Sequence, residues 1–406
     1  MDPDLLLAYI QQKLAEAAFT EGLSHAAIAF LLAGFVSIVS IPVIIKITEM
    51  KSLMESPDDA RRSHKVPTPT FGGVAIFAGV LIGYFICQTQ DGSELYATNL
   101  AIVGASILFF IGMKDDLVGI DPNKKMLFQL LSACILIFLG NLKLNYLYGI
   151  MGFHHVTDVV SILLTCFVFI AVTNAINLID GIDGLAGGIA TIASLTFGSW
   201  FLLSEHYAMA TMAFALAGGL VGFLRFNFSK TSKIFMGNTG SLLIGFFLAF
   251  FAVRFVNLNS DFRFQPRAFF NAPIIAIVVL IIPIFDTLRV FMVRLLNGKS
   301  PFVADRNHMH HILLDNGLTH AGATTVLCGT SLLNTILFLF LHQNISNSLS
   351  LIILIVSFFG YLLIGSLLKM RAVFKSTHPR RRVAALRREF HSAITGRDGR
   401  RITDLL

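Results

Sequence analysis

Long apolar stretches alternate with short polar clusters along most of this chain. Most of the stretches approach the roughly 20 helical residues that cross a hydrocarbon core. They lack the short alternating pattern of transmembrane barrel strands. The pattern therefore predicts about eleven membrane-spanning helices. They are placed near residues 25–48, 71–88, 98–113, 126–141, 158–174, 184–203, 208–226, 239–256, 271–290, 324–342 and 349–369.

Composition leads to the same class of protein. Hydrophobic residues make up 55% of the chain, charged residues make up 14%, and the mean hydropathy is +0.74. Such a chain has too little polar surface for a soluble globular protein. We predict an all-α polytopic integral membrane protein. Residues 1–24 lack the basic start of a cleavable signal, so the first span is expected to act as its own insertion signal.

The distribution of Lys and Arg predicts how the chain crosses the membrane. If the loop after the first span is inside, 26 of the 31 basic residues lie on the inner side and 5 on the outer side. Basic residues stay preferentially in the cytoplasm. We therefore expect the N-terminus outside and the C-terminus inside. The predicted divisions are an extracytoplasmic segment (1–24), a membrane domain (25–369) and a basic cytoplasmic tail (370–406) that is either solvated or bound to anionic lipid.

Polar clusters interrupt the apolar pattern at five places, and this orientation puts all of them on the cytoplasmic side. The clusters are residues 61–73, 114–118, 174–184, 235–241 and 304–311. Ionisable groups within or beside membrane spans are costly, and they usually serve a function. We therefore predict one cytoplasmic active site.

The second cluster contains the adjacent carboxylates Asp115 and Asp116. Neighbouring carboxylates repel, so they need a cation or a shared proton, and either arrangement supplies a base or a metal ligand. A salt bridge with Lys114 is the structural alternative. Lys124 and Lys125 suit a phosphate group, and they equally suit a role as cytoplasmic anchors.

The third cluster places amides and carboxylates inside an apolar region. Asn174, Asn177 and Asp180 are spaced by three residues, so they would share one face of a helix. Amide and carboxylate oxygens suit Mg²⁺ or the hydroxyl groups of a sugar. The structural alternative is an ordinary loop between two spans.

The last two clusters carry an aromatic residue, a helix start and three histidines. Residues 237–241 could begin a helix whose free N–H groups meet a phosphate, or they could form a plain N-cap. Phe235 offers a flat face for a base. His308, His310 and His311 resemble a zinc site but lack the Glu spacing of a metalloprotease. With Arg306 they would form a cationic cradle for a pyrophosphate.

Taken in order, these residues resemble the polyprenyl-phosphate N-acetylhexosamine-1-phosphate transferases. The resemblance runs from about residue 30 to residue 320 and rests on five ordered motifs. The motifs are residues 62–73, the pair 115–116, and the segments 174–185, 235–238 and 308–311. At Gly119 some members of the family have a third aspartate.

The resemblance implies ten or eleven helices around a cytoplasmic cleft in the bacterial inner membrane. It also implies a reaction in which polyprenyl phosphate displaces UMP from a UDP-sugar. Asp115 is then expected to deprotonate or orient the lipid phosphate. Asp116 would assist, or one of the pair would act as a covalent nucleophile. Asn177 and Asn238 would face Mg²⁺, for which Mn²⁺ could substitute. The expected substrate-binding residues are Lys65, Lys125, Asp180, Asp183, Phe235, Arg306, His308, His310 and His311.

The histidine pattern resembles the WecA and TagO branch of the family rather than the MraY branch. It therefore favours transfer of N-acetylglucosamine-1-phosphate to undecaprenyl phosphate, as the first step of a cell-envelope glycan such as a cell wall polymer or O-antigen. Other UDP-N-acetyl sugars and an MraY-like donor remain alternatives. The expected partners are the UDP-sugar, the lipid acceptor, membrane lipid and a second protomer, with no nucleic acid.

Two features of the sequence leave alternatives open. Asn238 stands where the family normally has an aspartate. Asn238 could be compensated by Asp180 or Asp286, could be tolerated outright, or could disable the enzyme. Asp286 also matches a family pattern, and it could be only a structural partner for Arg289.

A secondary transporter is the alternative from another class, because buried Asn and Asp residues can bind substrate or relay protons. The polar residues cluster at one membrane face, and the sequence does not show paired broken helices in two halves. Both observations favour the transferase.

Overall fold

The structure of the protein is a computed structural model. It describes residues 3–51, 54–55, 68–88, 92–260, 268–298, 300, 307–341 and 345–377. Lys65 and most of the first polar cluster lie outside the described residues. So do Arg306 and all but the first residues of the predicted tail.

The described part of the chain is a bundle of thirteen α-helices with one π-helical turn (Ile135–Leu139). The helices are α1 (Pro3–Met50), α2 (Gly72–Ile86), α3 (Gly92–Val118), α4 (Pro122–Cys134), α5 (Asp158–Ile179), α6 (Leu185–Leu203), α7 (Tyr207–Asn227), α8 (Gly237–Asn259), α9 (Ala272–Val279), α10 (Ile281–Leu296), α11 (Met309–Asp315), α12 (His320–Leu341) and α13 (Asn347–Thr377).

Two short antiparallel ribbons, which the apolar pattern does not predict, accompany the helices. One pairs β1 (Met54–Glu55) with β2 (Thr68–Pro69). The other pairs β3 (Tyr146–Ile150) with β4 (Phe153–His155). The second ribbon lies between the π-helical turn and α5 and is joined to α8 and α13, because the Tyr148 hydroxyl donates to the Val256 carbonyl and Asn347 donates to the Tyr148 carbonyl.

The apolar helices make this a multi-pass membrane protein. Within the described residues nine helices are long and apolar enough to span a membrane, and the bent pair α9 and α10 makes up to ten. The shorter apolar helix α2 has 15 residues. All eleven predicted stretches overlap one of these helices or the bent pair. The predicted boundary at residue 25 falls inside α1, which continues without a break from Pro3 to Met50.

One predicted span has a different shape. Residues 271–290 are predicted as one span, and the structure divides this region into α9 and α10, which are bent by 79° relative to each other. Pro283 has no N–H to donate to the carbonyl of Val279, so the regular hydrogen-bond ladder is interrupted there. The bend leads α10 towards the histidine segment.

Helix α8 lies at the centre of the bundle, where it contacts α2, α3, α5, α6, α7 and α9. Every residue from Thr239 to Val253 is buried, so the helix is enclosed on all sides. The largest of its buried side chains are Phe246, Phe247, Phe250, Phe251 and Phe255. A helix that is apolar all round belongs in the interior of a membrane protein. Close packing rather than exclusion of water stabilises such contacts in lipid. This packing fixes the start of α8, which forms part of the site.

Two glycines allow α2 and the start of α8 to approach closely. A Cβ atom on Gly73 would lie 2.2 Å from the backbone nitrogen of Gly240. Gly237 has a φ of +71°, and a Cβ there would lie 2.1 Å from the carbonyl oxygen of Thr70. Gly73 also donates its N–H to the Met236 carbonyl at 3.0 Å. The first and fourth polar clusters therefore meet backbone to backbone.

Candidate active site

Four helix ends bring the predicted catalytic and metal-facing residues together at one end of the bundle. Asp115 and Asp116 lie in the last turn of α3, Lys125 lies in the first turns of α4, Asn177 ends α5, and Asn238 begins α8. Hydrogen bonds join these side chains directly. Residues up to 123 positions apart in sequence thus form one cluster.

Local sequence explains where the first two helices of the site end and begin. Helix α3 stops at Gly119, whose φ is +72° and whose N–H donates to the Asp115 carbonyl at 3.0 Å. Glycine suits this C-cap position, because a residue with a side chain rarely adopts a positive φ. Helix α4 begins at Pro122, where Asp121 accepts the N–H of Asn123 at 2.9 Å. The resulting turn places Lys125 against Asp115.

The Lys125 ammonium lies among three oxygen atoms. Its Nζ is 2.9 Å from Asp115 Oδ2, 2.8 Å from Asn238 Oδ1 and 3.3 Å from Asn177 Oδ1. The side chains of Lys125 and Asp115 are only 14% and 12% exposed, so water screens this ion pair weakly. The ion pair of Asp115 is therefore with Lys125.

The hydrogen bonds of the two amides turn their oxygens towards Lys125. Asn238 uses its Nδ2 to donate to Asp116 Oδ1 at 3.1 Å. Asn177 uses its Nδ2 to donate to Ser241 Oγ at 2.7 Å and to Asn238 Oδ1 at 2.9 Å. An amide oriented in this way must direct its oxygen to the opposite side. Both amide oxygens and the Asp115 carboxylate thus converge on one cationic position.

This set of donors fits a magnesium ion. Mg²⁺ prefers oxygen ligands, and it is usually held by one or two carboxylates together with water and substrate phosphates. The site offers the Asp115 carboxylate and the two amide oxygens, without nitrogen or sulfur. No group of three or more His, Cys, Asp or Glu residues suited to a metal occurs in the described parts of the chain. The amides are therefore essential to any cation site here.

Asp116 has a different environment from its neighbour. Its Oδ1 accepts the Asn238 N–H at 2.8 Å, and its Oδ2 accepts the Thr239 N–H at 2.9 Å and the Thr239 hydroxyl at 2.6 Å. A carboxylate that accepts the first N–H groups of a helix stabilises both those groups and the helix dipole. The resemblance implies that Asp116 assists Asp115 or that one of the pair acts as a covalent nucleophile. In the structure both oxygens of Asp116 accept hydrogen bonds from the start of α8.

The predicted face of α5 is divided between two neighbours. Asn177 faces the cluster around Lys125, whereas Asn174 exchanges two hydrogen bonds with Gln129 of α4, at 3.1 and 3.0 Å. Asp180 forms the C-cap of α5 and is partly buried. The three-residue spacing therefore identified the right helix end, and Asn177 is the residue whose side chain contacts Lys125.

A second cluster surrounds Asp183, between α5 and α6. Lys233 Nζ donates to Asp183 Oδ2 at 2.7 Å and lies 5.3 Å from the centre of the Phe235 ring. His320 Nδ1 is 3.5 Å from the same carboxylate, and the Thr324 hydroxyl donates to the Asp183 carbonyl at 2.6 Å. Asp183 and Phe235, which are both among the expected substrate-binding residues, are thus linked through Lys233.

The three histidines lie together beside the loop that follows α5. His308 and His310 have nearly parallel rings with centres 5.6 Å apart, and the centres of His310 and His311 are 4.2 Å apart. His310 packs so closely that a Cβ on Gly181 would lie 2.5 Å from its Nε2. Burial, together with His311, lowers the pKa of His310 to about 3. His310 is therefore neutral at physiological pH, and it does not add positive charge to the predicted cradle.

Sequence reasoning missed several residues of the site. Lys233, Thr239 and His320 were not predicted. Lys233 lies two residues before the motif 235–238, Thr239 directly follows that motif, and His320 begins α12. For Asp286, a purely structural partnership with Arg289 is one of the alternatives left open by the sequence. In the structure Asp286 accepts hydrogen bonds from His308 and Met309, while Arg289 donates to the Asn307 carbonyl. Asp286 is thus bonded to the histidine segment.

Comparison with known proteins identifies the family. Residues 98–256, which contain most of the cluster around Lys125, match the model of glycosyl transferase family 4. The decaprenyl-phosphate N-acetylglucosaminephosphotransferase of Mycobacterium leprae is 32% identical over 279 residues, covering 64% of this chain and 70% of the relative. The chain belongs to the polyprenyl-phosphate N-acetylglucosamine-1-phosphate transferase family.

Relatives from other bacteria agree with this assignment. A probable undecaprenyl-phosphate N-acetylglucosaminyl 1-phosphate transferase of Bacillus subtilis is 29% identical over 301 residues, which is 74% of this chain and 80% of the relative. The undecaprenyl-phosphate alpha-N-acetylglucosaminyl 1-phosphate transferase of Escherichia coli O157:H7 is 29% identical over 288 residues, which is 70% of this chain and 74% of the relative. Membership of a transferase family favours the transferase over the transporter alternative.

Proposed function

We propose that this transferase moves N-acetylglucosamine-1-phosphate from UDP-N-acetylglucosamine to undecaprenyl phosphate and releases UMP. The observation that carries the proposal is the convergence of Asp115, Lys125, Asn177 and Asn238 at one end of a membrane bundle. A lipid phosphate can enter such a site from the membrane, and a nucleotide sugar can enter from water. The excess of basic residues on this side of the predicted topology favours the cytoplasmic face.

The reaction joins one phosphate to another. An oxygen of the lipid phosphate bonds to the β-phosphorus of the UDP-sugar, and the bond from that phosphorus to the bridging oxygen breaks. UMP leaves with the bridging oxygen and its electron pair. Because all the reacting groups are anionic, charge neutralisation and in-line positioning dominate the catalysis.

The residues around Lys125 suit these requirements. Lys125 supplies a positive charge for the phosphate oxygens, and Asp115 accepts a remaining proton from the lipid phosphate or orients its attacking oxygen. Asp115 is itself held from the other side, because its Oδ1 accepts the Ile120 N–H at 2.8 Å. Its position is thus fixed before substrate binds. Asp116 contributes by placing Asn238.

The proposal includes a divalent cation, Mg²⁺ or Mn²⁺. Asp115, Asn177 and Asn238 would hold it, and when bound it would neutralise charge on the phosphates. Lys125 contacts the same three oxygens, so it must share or yield them when the cation binds. Asn238 lacks the charge of the usual aspartate, so we expect weaker cation binding than in relatives with that residue.

The donor nucleotide is assigned to the second cluster. Phe235 would stack on the uracil and Asp183 would accept from its edge, so the Lys233 contact with both residues would have to open. His308, His310 and His311, with Lys65, Asp180 and Arg306, are proposed to hold the sugar and the pyrophosphate.

Transfer of a labelled sugar into lipid tests this proposal. Purified protein is incubated with tritium-labelled UDP-N-acetylglucosamine, undecaprenyl phosphate and Mg²⁺, and the organic phase is counted. We expect label in lipid only when acceptor and protein are both present, and none with Asp115→Asn. Asp158→Asn, an exposed carboxylate at the other end of α5, is the matched control. Transfer only from another UDP-N-acetyl sugar would change the assigned donor, and no transfer from any would reject the function.

A further inference from the structure

Asp286 is a buried carboxylate in α10, and its position outside the cluster around Lys125 leaves its role open. Only 2% of the residue is exposed. Its Oδ2 is 2.8 Å from His308 Nδ1, and its Oδ1 accepts the Met309 N–H at 2.8 Å. The Tyr361 hydroxyl of α13 lies 3.4 Å from Oδ1. Asp286 therefore joins the start of α11 to two membrane helices.

These contacts determine the state of the His308 ring. A carboxylate that faces Nδ1 holds the proton on that nitrogen, so Nε2 of the neutral ring is the acceptor. The Met309 bond fixes the backbone beside His308 at the same time. Ring orientation and tautomer are thus set by one side chain, which is the arrangement by which carboxylates position functional histidines in other enzymes.

Helix α13 also holds the segment that contains His308 in place. Besides Tyr361, α13 accepts a hydrogen bond at the Leu368 carbonyl from Asn316, at 2.9 Å. Lys369 of α13 also donates to the Asn307 side chain. The segment 307–316 is therefore attached to α13 at several points.

We propose that Asp286 is a positioning residue that fixes the tautomer and ring orientation of His308, and that Tyr361 helps to hold its carboxylate. The inference deepens the proposed function, because His308 lies in the segment assigned to the donor pyrophosphate. Asp286 itself need not touch substrate. Its effect on the reaction passes through His308.

Nitrogen NMR of isotope-labelled histidine tests the tautomer directly and does not depend on activity. His308→Gln identifies the His308 signal by its loss. In the wild-type protein we expect His308 to carry its proton on Nδ1, and in Asp286→Asn we expect that preference to disappear. Wild-type protein with the proton on Nε2, or an unchanged tautomer in Asp286→Asn, would overturn the proposal.

Kinetics then test whether the effect passes through His308. We expect Asp286→Asn to lower kcat on the order of 10- to 100-fold, as loss of a supporting hydrogen bond does at other sites. The double variant with His308→Gln should be no slower than His308→Gln alone. Losses that multiply in the double variant would overturn the coupling, as would full activity of Asp286→Asn.

Tyr361→Phe provides a milder change in case Asp286→Asn fails to fold. It removes only the hydroxyl, so we expect a smaller fall in kcat that again disappears in the His308→Gln background. Tyr96→Phe, at an exposed tyrosine of α3, should have no effect. An equal loss from Tyr361→Phe with and without His308 would contradict the role of α13. If the wild-type protein transfers no sugar, the proposed function fails, and the NMR result still decides the positioning.

Discussion

Asn238 and Asp116 are joined by a hydrogen bond from Asn238 Nδ2 to Asp116 Oδ1, 3.1 Å long, at the start of α8. An aspartate at position 238 would place two carboxylates at this distance, where they repel in the absence of a cation. The amide replaces that repulsion with a contact and still turns its oxygen to Lys125. Asn238 is therefore compatible with an ordered site that does not need a bound ion to hold it together.

Asn238→Asp should make the fold depend on divalent cations. In chelator we expect the variant to be less stable than the wild type by about 2 kcal/mol, because Asp116 loses a donor and gains a negative neighbour. Saturating Mg²⁺ should restore the stability of the variant. At low Mg²⁺ the variant should be more active than the wild type, because the added carboxylate binds the cation more tightly. Thermal unfolding in detergent with and without Mg²⁺ measures the effect. Asn123→Asp adds the same charge at an exposed position and serves as control. Equal Mg²⁺ dependence in all three proteins would contradict this interpretation.

Substitutions of Asp115 and Asp116 should differ in their effects on stability and on activity. Asp116 holds the first N–H groups of α8, so Asp116→Asn is expected to lower the free energy of unfolding by about 1–3 kcal/mol. Asp115→Asn is expected to abolish transfer with a smaller effect on unfolding. Both variants are compared by thermal unfolding and by sugar transfer. A larger loss of stability in Asp115→Asn than in Asp116→Asn would reverse these assignments.

Lys125 and Lys124 provide a matched pair of neighbouring lysines. Lys125 contacts three site oxygens, whereas Lys124 is exposed. We expect Lys125→Ala to lower kcat/KM at least 100-fold, about 3 kcal/mol of transition-state stabilisation, and Lys124→Ala to retain activity. Steady-state kinetics decide the matter, and similar losses from both would show that only the general positive charge of the loop matters.

The lowered pKa of His310 predicts how the stability of the protein depends on pH. Burial lowers its pKa to about 3 in the folded protein, while the unfolded chain binds the proton near pH 6.5. Between about pH 6.5 and 3 the unfolded state holds more protons, so stability is full above this window and falls as the pH decreases through it. We expect His310→Gln to lose less stability than the wild type on acidification from about pH 7.5 to 5. Thermal unfolding at each pH tests this, with exposed His154→Gln as control, and parallel curves for all three proteins would contradict it.

The apolar pattern predicted the helices well because a membrane span needs a long apolar stretch whatever its neighbours are. The bend before Pro283 could have been predicted from the sequence, since proline removes a helix hydrogen bond. The ribbon of Tyr146–Ile150 with Phe153–His155 could not, because strands this short show no clear alternation of apolar and polar residues.

The sequence predicted Asp115, Lys125, Asn177 and Asn238 as members of one site, which the structure brings together, but not the contacts that each of them makes. The motifs that contain Asp115, Asn177 and Asn238 could be recognised one by one. The difference between Asp115 and Asp116 could not be recognised from the sequence. Two adjacent aspartates differ only in their contacts in the folded protein. The contact between Asp286 and His308 could not be predicted either, since Arg289 is near in sequence whereas His308 is near only in space.

The nucleotide product of the purified protein tests the central claim most directly. Protein in detergent is incubated with UDP-N-acetylglucosamine, undecaprenyl phosphate and Mg²⁺, and the nucleotides are separated by chromatography. Transfer of sugar phosphate predicts UMP, formed in equal amount to the lipid product and only when the acceptor is present. Release of UDP, which marks transfer of the sugar alone, or UMP formed without acceptor would contradict the account.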